Sequence, residues 1–92
     1  MPFENKNYAF ARAFVDELDR CGLRHVCICP GSRSTPLAIS FARQSRIKKW
    51  VHLDERSAAF FALGIASYLN EPVALVCSSG TATANFLPAL IE

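Results

Sequence analysis

No stretch of this chain is long and apolar enough to suggest a membrane helix. The longest apolar run, Ala58 to Ala66, covers about half of the ~20 residues such a helix needs. Residues Met1 to Asn7 are polar and mixed in charge, without the apolar segment of a secretory signal. A dominant charge of one sign is also missing. The formal net charge of +2 creates no field that argues for nucleic acid or lipid as a partner. The one basic cluster, Arg43, Arg46, Lys48 and Lys49, has no aromatic residues interleaved for base stacking and reads as a solvated loop. These absences predict a soluble, cytoplasmic protein with no nucleic-acid partner and no membrane insertion.

Several motifs are absent as well. There is no CxxC pair among the cysteines at 21, 27, 29 and 77, which predicts reduced, buried thiols rather than disulfides. His25, Cys27 and Cys29 alternate and would share one face of a strand, where apolar packing accounts for them without a metal. Neither a GxxxxGK phosphate loop nor a GxGxxG dinucleotide fingerprint occurs. GxSxG is missing too, and no histidine follows His52, which argues against a serine hydrolase. The chain has no internal repeat, linker or low-complexity tract.

What is present is a folded domain: 51% of the 92 residues are hydrophobic, too many for a disordered chain and enough for one core. Phe10, Phe14, Leu18 and Cys21 recur at the spacing of one helical face, and Gly22 can end that helix in a left-handed conformation. His25–Cys29 reads as a buried strand stopped by Pro30-Gly31. Ser34 or Thr35 can cap a helix through Gln44, with Pro36 in its first turn. Trp50–Leu53 is a second strand. Asp54 can cap a helix from Glu55 to about Leu69, ended by Asn70 and Pro72. Its small residues, Ala58, Ala59, Ala62, Gly64 and Ala66, suit close approach to a sheet or another helix. Val73–Cys77 is a third strand, apolar throughout, and a last helix begins near Thr81 or Ala82 and continues to Glu92.

This α-β-α-β-α-β-α order predicts an α/β fold: a parallel sheet with helices on both faces and His25–Cys29 between the other two strands. Right-handed crossovers bring the three strand ends to one edge, where open α/β sheets bind ligands. Three polar segments meet there: 30–34, 54–56 and 78–81. In the first, a helix N-terminus and Arg33 suit a carboxylate or phosphate, although a capped loop with Arg33 in water fits equally. In the second, Glu55 is either an acid favoured by the helix dipole or, if buried, a carboxyl able to hold or share a proton. In the third, Gly80 suits a backbone turn approaching a ligand.

Together, Cys29-Pro30-Gly31-Ser32-Arg33-Ser34-Thr35-Pro36-Leu37, Leu53 to Gly64 beginning Leu-Asp-Glu-Arg-Ser-Ala-Ala-Phe-Phe, and Ser79-Gly80-Thr81-Ala82-Thr83-Ala84-Asn85 resemble the start of the 2-succinyl-5-enolpyruvyl-6-hydroxy-3-cyclohexene-1-carboxylate synthase (MenD) family of thiamine-diphosphate enzymes. The resemblance runs from about Asn7 to Glu92. Ser78 and Thr83 depart slightly from the commoner family residues. The glutamate followed by small residues and the Ser-Gly…Asn turn are shared widely among thiamine-diphosphate enzymes. The Gly-Ser-Arg-Ser-Thr-Pro-Leu and Asp-Glu-Arg-Ser-Ala-Ala-Phe-Phe segments are more specific to this synthase.

The resemblance implies that residues 1–92 are the N-terminal part of a flavodoxin-like pyrimidine-binding domain. It implies that Glu55 is catalytic, hydrogen-bonding the aminopyrimidine ring of thiamine diphosphate and favouring the imino tautomer that removes the C2 proton. Gly80, Thr81 and Asn85 then shape the pyrimidine side of the cofactor pocket, and Ser32 and Arg33 hold a carboxylate of isochorismate. The implied reaction decarboxylates 2-oxoglutarate and joins the product to isochorismate in menaquinone biosynthesis. The cofactor's diphosphate and its Mg²⁺ or Mn²⁺ are expected on a C-terminal domain outside this chain, which has no Gly-Asp-Gly motif and supplies no metal ligand. A homodimer or homotetramer is expected, with the site between subunits. The uncapped helical pattern at Glu92 and an unpaired edge strand suggest a fragment, inactive alone. Two other readings are another thiamine-diphosphate carboligase or decarboxylase, against which Arg33 speaks, and a non-catalytic anion-binding α/β module, which an exposed Glu55 would favour.

Overall fold

A computed structural model describes residues 6–31, 34–78 and 81–91, Thr81 by its backbone alone. Along the chain these form α1 (Lys6–Arg20), β1 (His25–Ile28), α2 (Thr35–Ala42), β2 (Lys48–Val51), α3 (Glu55–Leu69), β3 (Ala74–Val76), α4 (Thr81–Ala84) and α5 (Leu87–Ile91). The three strands form one sheet in the order β2-β1-β3, and both pairings are parallel. Val26 stands beside Lys49 and Ala74, and Ile28 beside Val51 and Val76. The expected α/β architecture and the central place of β1 are therefore present.

Alternation along β1 divides the core in two. Val26 and Ile28 join Val15, Leu23, Phe41, Ile47 and Val76 in a cluster closed by α1 and α2. Cys27 and Cys29 lie on the opposite face under Ala58 and Ala62 of α3, flanked by Trp50, Leu75 and Cys77. The alanines let α3 lie close to the sheet. Ala59, Phe86 and Ala89 then fasten α5 to α3. With both faces covered, β1 carries no exposed residue, which explains a strand with no polar alternation.

The helix ends follow local chemistry. Gly22 has φ 101° and ends α1. The Asp54 carboxylate accepts the Ser57 N–H at 2.8 Å, and Asn70 closes α3 at φ 58°, with its own N–H on the Ala66 carbonyl. Ser34 precedes α2 as its cap residue, but its hydroxyl donates to the Gly31 carbonyl (3.0 Å) instead of accepting from the helix.

Several expectations need correction. In α1 the face that packs is Ala11, Val15 and Asp19, whereas Phe10 and Phe14 are 72% and 47% exposed and stack on each other. Strand β2 starts at Lys48, two residues before Trp50, because Ile47 anchors in the core and the Lys48 N–H bonds the Arg24 carbonyl. Lys48 and Lys49 therefore belong to a strand rather than a loop, and Arg46 pairs with buried Asp19. The last helix breaks into α4 and α5. Pro88 has no N–H for the Ala84 carbonyl, and Asn85 and Phe86 instead donate to carbonyls three residues back. Gly64 is exposed, and a Cβ there would meet nothing among the described residues, so it mediates no close approach among them. Among the cysteines, all free, Cys27 and Cys29 are buried, Cys77 is half-buried and Cys21 is exposed.

Candidate functional site

The sheet ladder continues past the strand ends and gathers the connecting loops. The Cys29 N–H bonds the Val76 carbonyl (2.8 Å), and the His52 N–H bonds the Ile28 carbonyl (2.9 Å). Beyond them, the Gly31 carbonyl receives the Ser34 N–H (3.1 Å), the Ser34 hydroxyl (3.0 Å) and the Thr35 hydroxyl (3.3 Å). This fixes the turn into α2. A Cβ on residue 31 would lie 2.6 Å from the Ser78 Cβ, so the first and third loops touch where glycine stands. The glycine at 31 is required by that contact, since its φ is not in the left-handed range.

Glu55 is the first residue of α3, directly after the Asp54 cap. It is half-buried, and among the described residues its carboxyl has no hydrogen-bond or ion-pair partner. Its charge is felt by Cys29. Burial first, then the Glu55 carboxylate, Cys77 and Asp54 push the Cys29 thiol up to about 11. Cys27 is likewise pushed up to about 11, by burial and then by Cys29. Asp54 lies below the usual carboxylate range because the Ser57 backbone N–H, then the Ser57 hydroxyl, stabilise its charge. The two adjacent acids thus differ in use: Asp54 is committed to its helix, whereas Glu55 is available.

Thr81 begins α4, and Asn85 lies exposed in the turn between α4 and α5. The Cys77 thiol and the Thr83 hydroxyl, 3.5 Å apart, connect the end of β3 to α4. Ser32, Arg33 and Gly80 lie outside the described residues. The structure also points to a residue that sequence reasoning passed over. His52 packs its ring on Phe61 (5.0 Å between centroids), and its Nε2 is buried without a hydrogen-bond partner among the described residues. Its alternation with Trp50, which also packs on Phe61, was the available signal.

A parallel sheet whose carboxyl edge gathers a glycine contact, a helix start and an available acid defines a ligand-binding α/β domain. The sequence profile of the family described as "Thiamine pyrophosphate enzyme, N-terminal TPP binding domain" matches residues 9–92, and the chain belongs to this family. Within it, the chain is similar to proteins named 2-succinyl-5-enolpyruvyl-6-hydroxy-3-cyclohexene-1-carboxylate synthase. The relative from Roseiflexus castenholzii is 59% identical over 88 residues, covering 96% of this chain and 15% of the relative. That from Nostoc is 59% identical over 91 residues, covering 98% and 16%. That from Oceanobacillus iheyensis is 52% identical over all 92 residues and 16% of its own length. The chain thus spans about 15–16% of the curated relatives it matches, and the resemblance carried by its three loops is borne out.

Proposed function

We propose that this chain is the pyrimidine-side part of a thiamine-diphosphate-dependent transferase. The proposed carboligase decarboxylates 2-oxoglutarate and adds the remaining four-carbon unit to isochorismate in menaquinone biosynthesis. The observation that carries this reading is Glu55: a half-buried carboxyl, without a partner among the described residues, at the ligand edge of the sheet.

When bound, thiamine diphosphate supplies the electron sink for breaking and making the carbon–carbon bonds. The residues here fit its pyrimidine end. Glu55 can hold a proton toward a ring nitrogen, and the close contact of Gly31 with Ser78 draws the two flanking loops together. Gly80, Thr81 and Asn85 would line the pyrimidine side. Ser32 and Arg33 would hold a carboxylate of isochorismate, Arg33 through its fork of donors. The diphosphate and a Mg²⁺ or Mn²⁺ ion would be held by a further domain. The assembly would be a cytoplasmic homodimer or homotetramer, and residues 1–92 alone would be inactive. Among the described residues no helix is long and apolar enough to cross a membrane.

The test is turnover by the full-length protein supplied with thiamine diphosphate and Mg²⁺ or Mn²⁺. Carbon dioxide release from 2-oxoglutarate together with consumption of isochorismate is expected. Release without isochorismate consumption would point to a different decarboxylase or carboligase. No turnover and no cofactor binding would leave a non-catalytic module.

A further inference from the structure

One groove among the described residues lies away from the sheet edge. It lies between α1 and α2, encloses about 380 Å³, and none of its lining residues belongs to the three loops. That volume falls in the range of small-molecule sites, roughly 300–1,000 Å³. Its polar lining includes Tyr8, Arg12, Asp16 and Arg43, and Ile39 and the alanines of α1 add apolar wall.

Charge decides what such a groove takes. The described ion pairs use Arg20, Arg24 and Arg46, and neither Arg12 nor Arg43 has a carboxylate partner among the described residues. The one acid in the lining, Asp16, accepts a hydrogen bond from the Gln44 amide, which holds it at the α2 end of the groove. Arg12 of α1 and Arg43, the residue that caps the end of α2, therefore line one groove, with the single carboxylate of Asp16 beside them. Guanidinium forks suit carboxylate and phosphate oxygens in geometry and charge.

We propose that the α1–α2 groove binds a small organic anion through Arg12 and Arg43, a carboxylate or phosphate group between the guanidiniums and its apolar body against Ile39. This site is separate from the one assigned to Glu55 and does not depend on the proposed reaction.

The experiment is calorimetric titration of the full-length protein with two probes, inorganic phosphate and phthalate. Arg12→Ala, Arg43→Ala and Arg33→Ala are titrated in parallel. Binding of at least one probe is expected, with a component that is weakened about tenfold in each of the first two variants, as loss of one charge-assisted contact implies, and that persists in Arg33→Ala. The probe that binds tells a phosphate ligand from a carboxylate. Mass-spectrometric mapping of phenylglyoxal modification on the unaltered protein gives a second readout, in which the bound probe shields Arg12 and Arg43. Absence of binding by both probes, binding that only Arg33→Ala removes, or unshielded Arg12 and Arg43 would each overturn the proposal.

Discussion

Gly31 and Ser78 are in contact at the carboxyl edge of the sheet. A side chain on residue 31 would begin 2.6 Å from the Ser78 Cβ and 2.8 Å from its Oγ. The Oγ could rotate away, but the Cβ is fixed to the backbone. Gly31→Ala should therefore push the first and third loops apart, destabilise the fold by about 1–3 kcal/mol and impair turnover of the full-length protein. Adding Ser78→Gly removes both close atoms and leaves the residue 78 Cα at 3.6 Å, an ordinary contact. The double variant should recover much of the loss. Thermal melts of the single and double variants check this, and strict additivity would disprove the contact.

Glu55→Gln and Arg33→Ala should separate two roles in the full-length enzyme. Gln keeps the size and hydrogen-bonding capacity of Glu55 but cannot exchange its proton. Deuterium exchange at the cofactor's C2 should then slow by about 10²-fold or more, as expected on losing acid–base assistance. Arg33→Ala should leave exchange intact and weaken the use of isochorismate by about 2–4 kcal/mol if the site is desolvated. Normal exchange in Glu55→Gln would remove Glu55 from the role proposed for it.

Asp19 is 6% exposed and pairs with Arg24 at 3.1 Å and with Arg46, joining the end of α1 to the segments before β1 and β2. The arginines reach water and the acid does not, so truncation should be asymmetric. Asp19→Ala should cost about 1–3 kcal/mol, through lost charge-assisted bonds and lost packing. Arg46→Ala, at an exposed side chain, should cost about 0–1 kcal/mol. Urea midpoints of the two variants measure the difference, and equal losses would contradict it.

The buried thiols make stability fall in alkali. Cys27 and Cys29 are raised from an ordinary 9.0 to about 11 in the fold. Above pH 9 the unfolded chain releases these protons while the native state keeps them, so stability is full below about 9 and declines towards 11. A Cys27→Ala/Cys29→Ala variant should show a shallower decline between these values. The same burial predicts that iodoacetamide modifies exposed Cys21 first and reaches Cys27 and Cys29 only on unfolding. Peptide mapping after timed alkylation gives the order.

Much of this fold depends on chemistry that is local along the chain, and that part could be read from residues alone. Asp54 caps α3, Asn70 ends it and Gly22 ends α1, because each satisfies backbone groups within a few residues of itself. The parallel order around β1 follows from strands and helices alternating under the rule of right-handed crossovers. The resemblance to a thiamine-diphosphate family rested likewise on contiguous segments.

What remained depended on partners distant in sequence. Periodicity on α1 marked Phe10 and Phe14, yet contact with α2 and the sheet selected Ala11, Val15 and Asp19, because small or shape-matched side chains allow close packing. Lys48 and Lys49 read as loop residues but are strand residues, since the β1 backbone supplies their ladder and an edge strand leaves charged side chains a route to water. The need for glycine at 31 is set by Ser78, 47 positions away along the sequence. That Arg12 and Arg43 line one groove likewise follows only because α1 and α2 lie side by side on one face of the sheet. Capping and alternation are properties of neighbouring residues, whereas steric contact and converging charge are properties of the packed chain, and only the tertiary structure decided them.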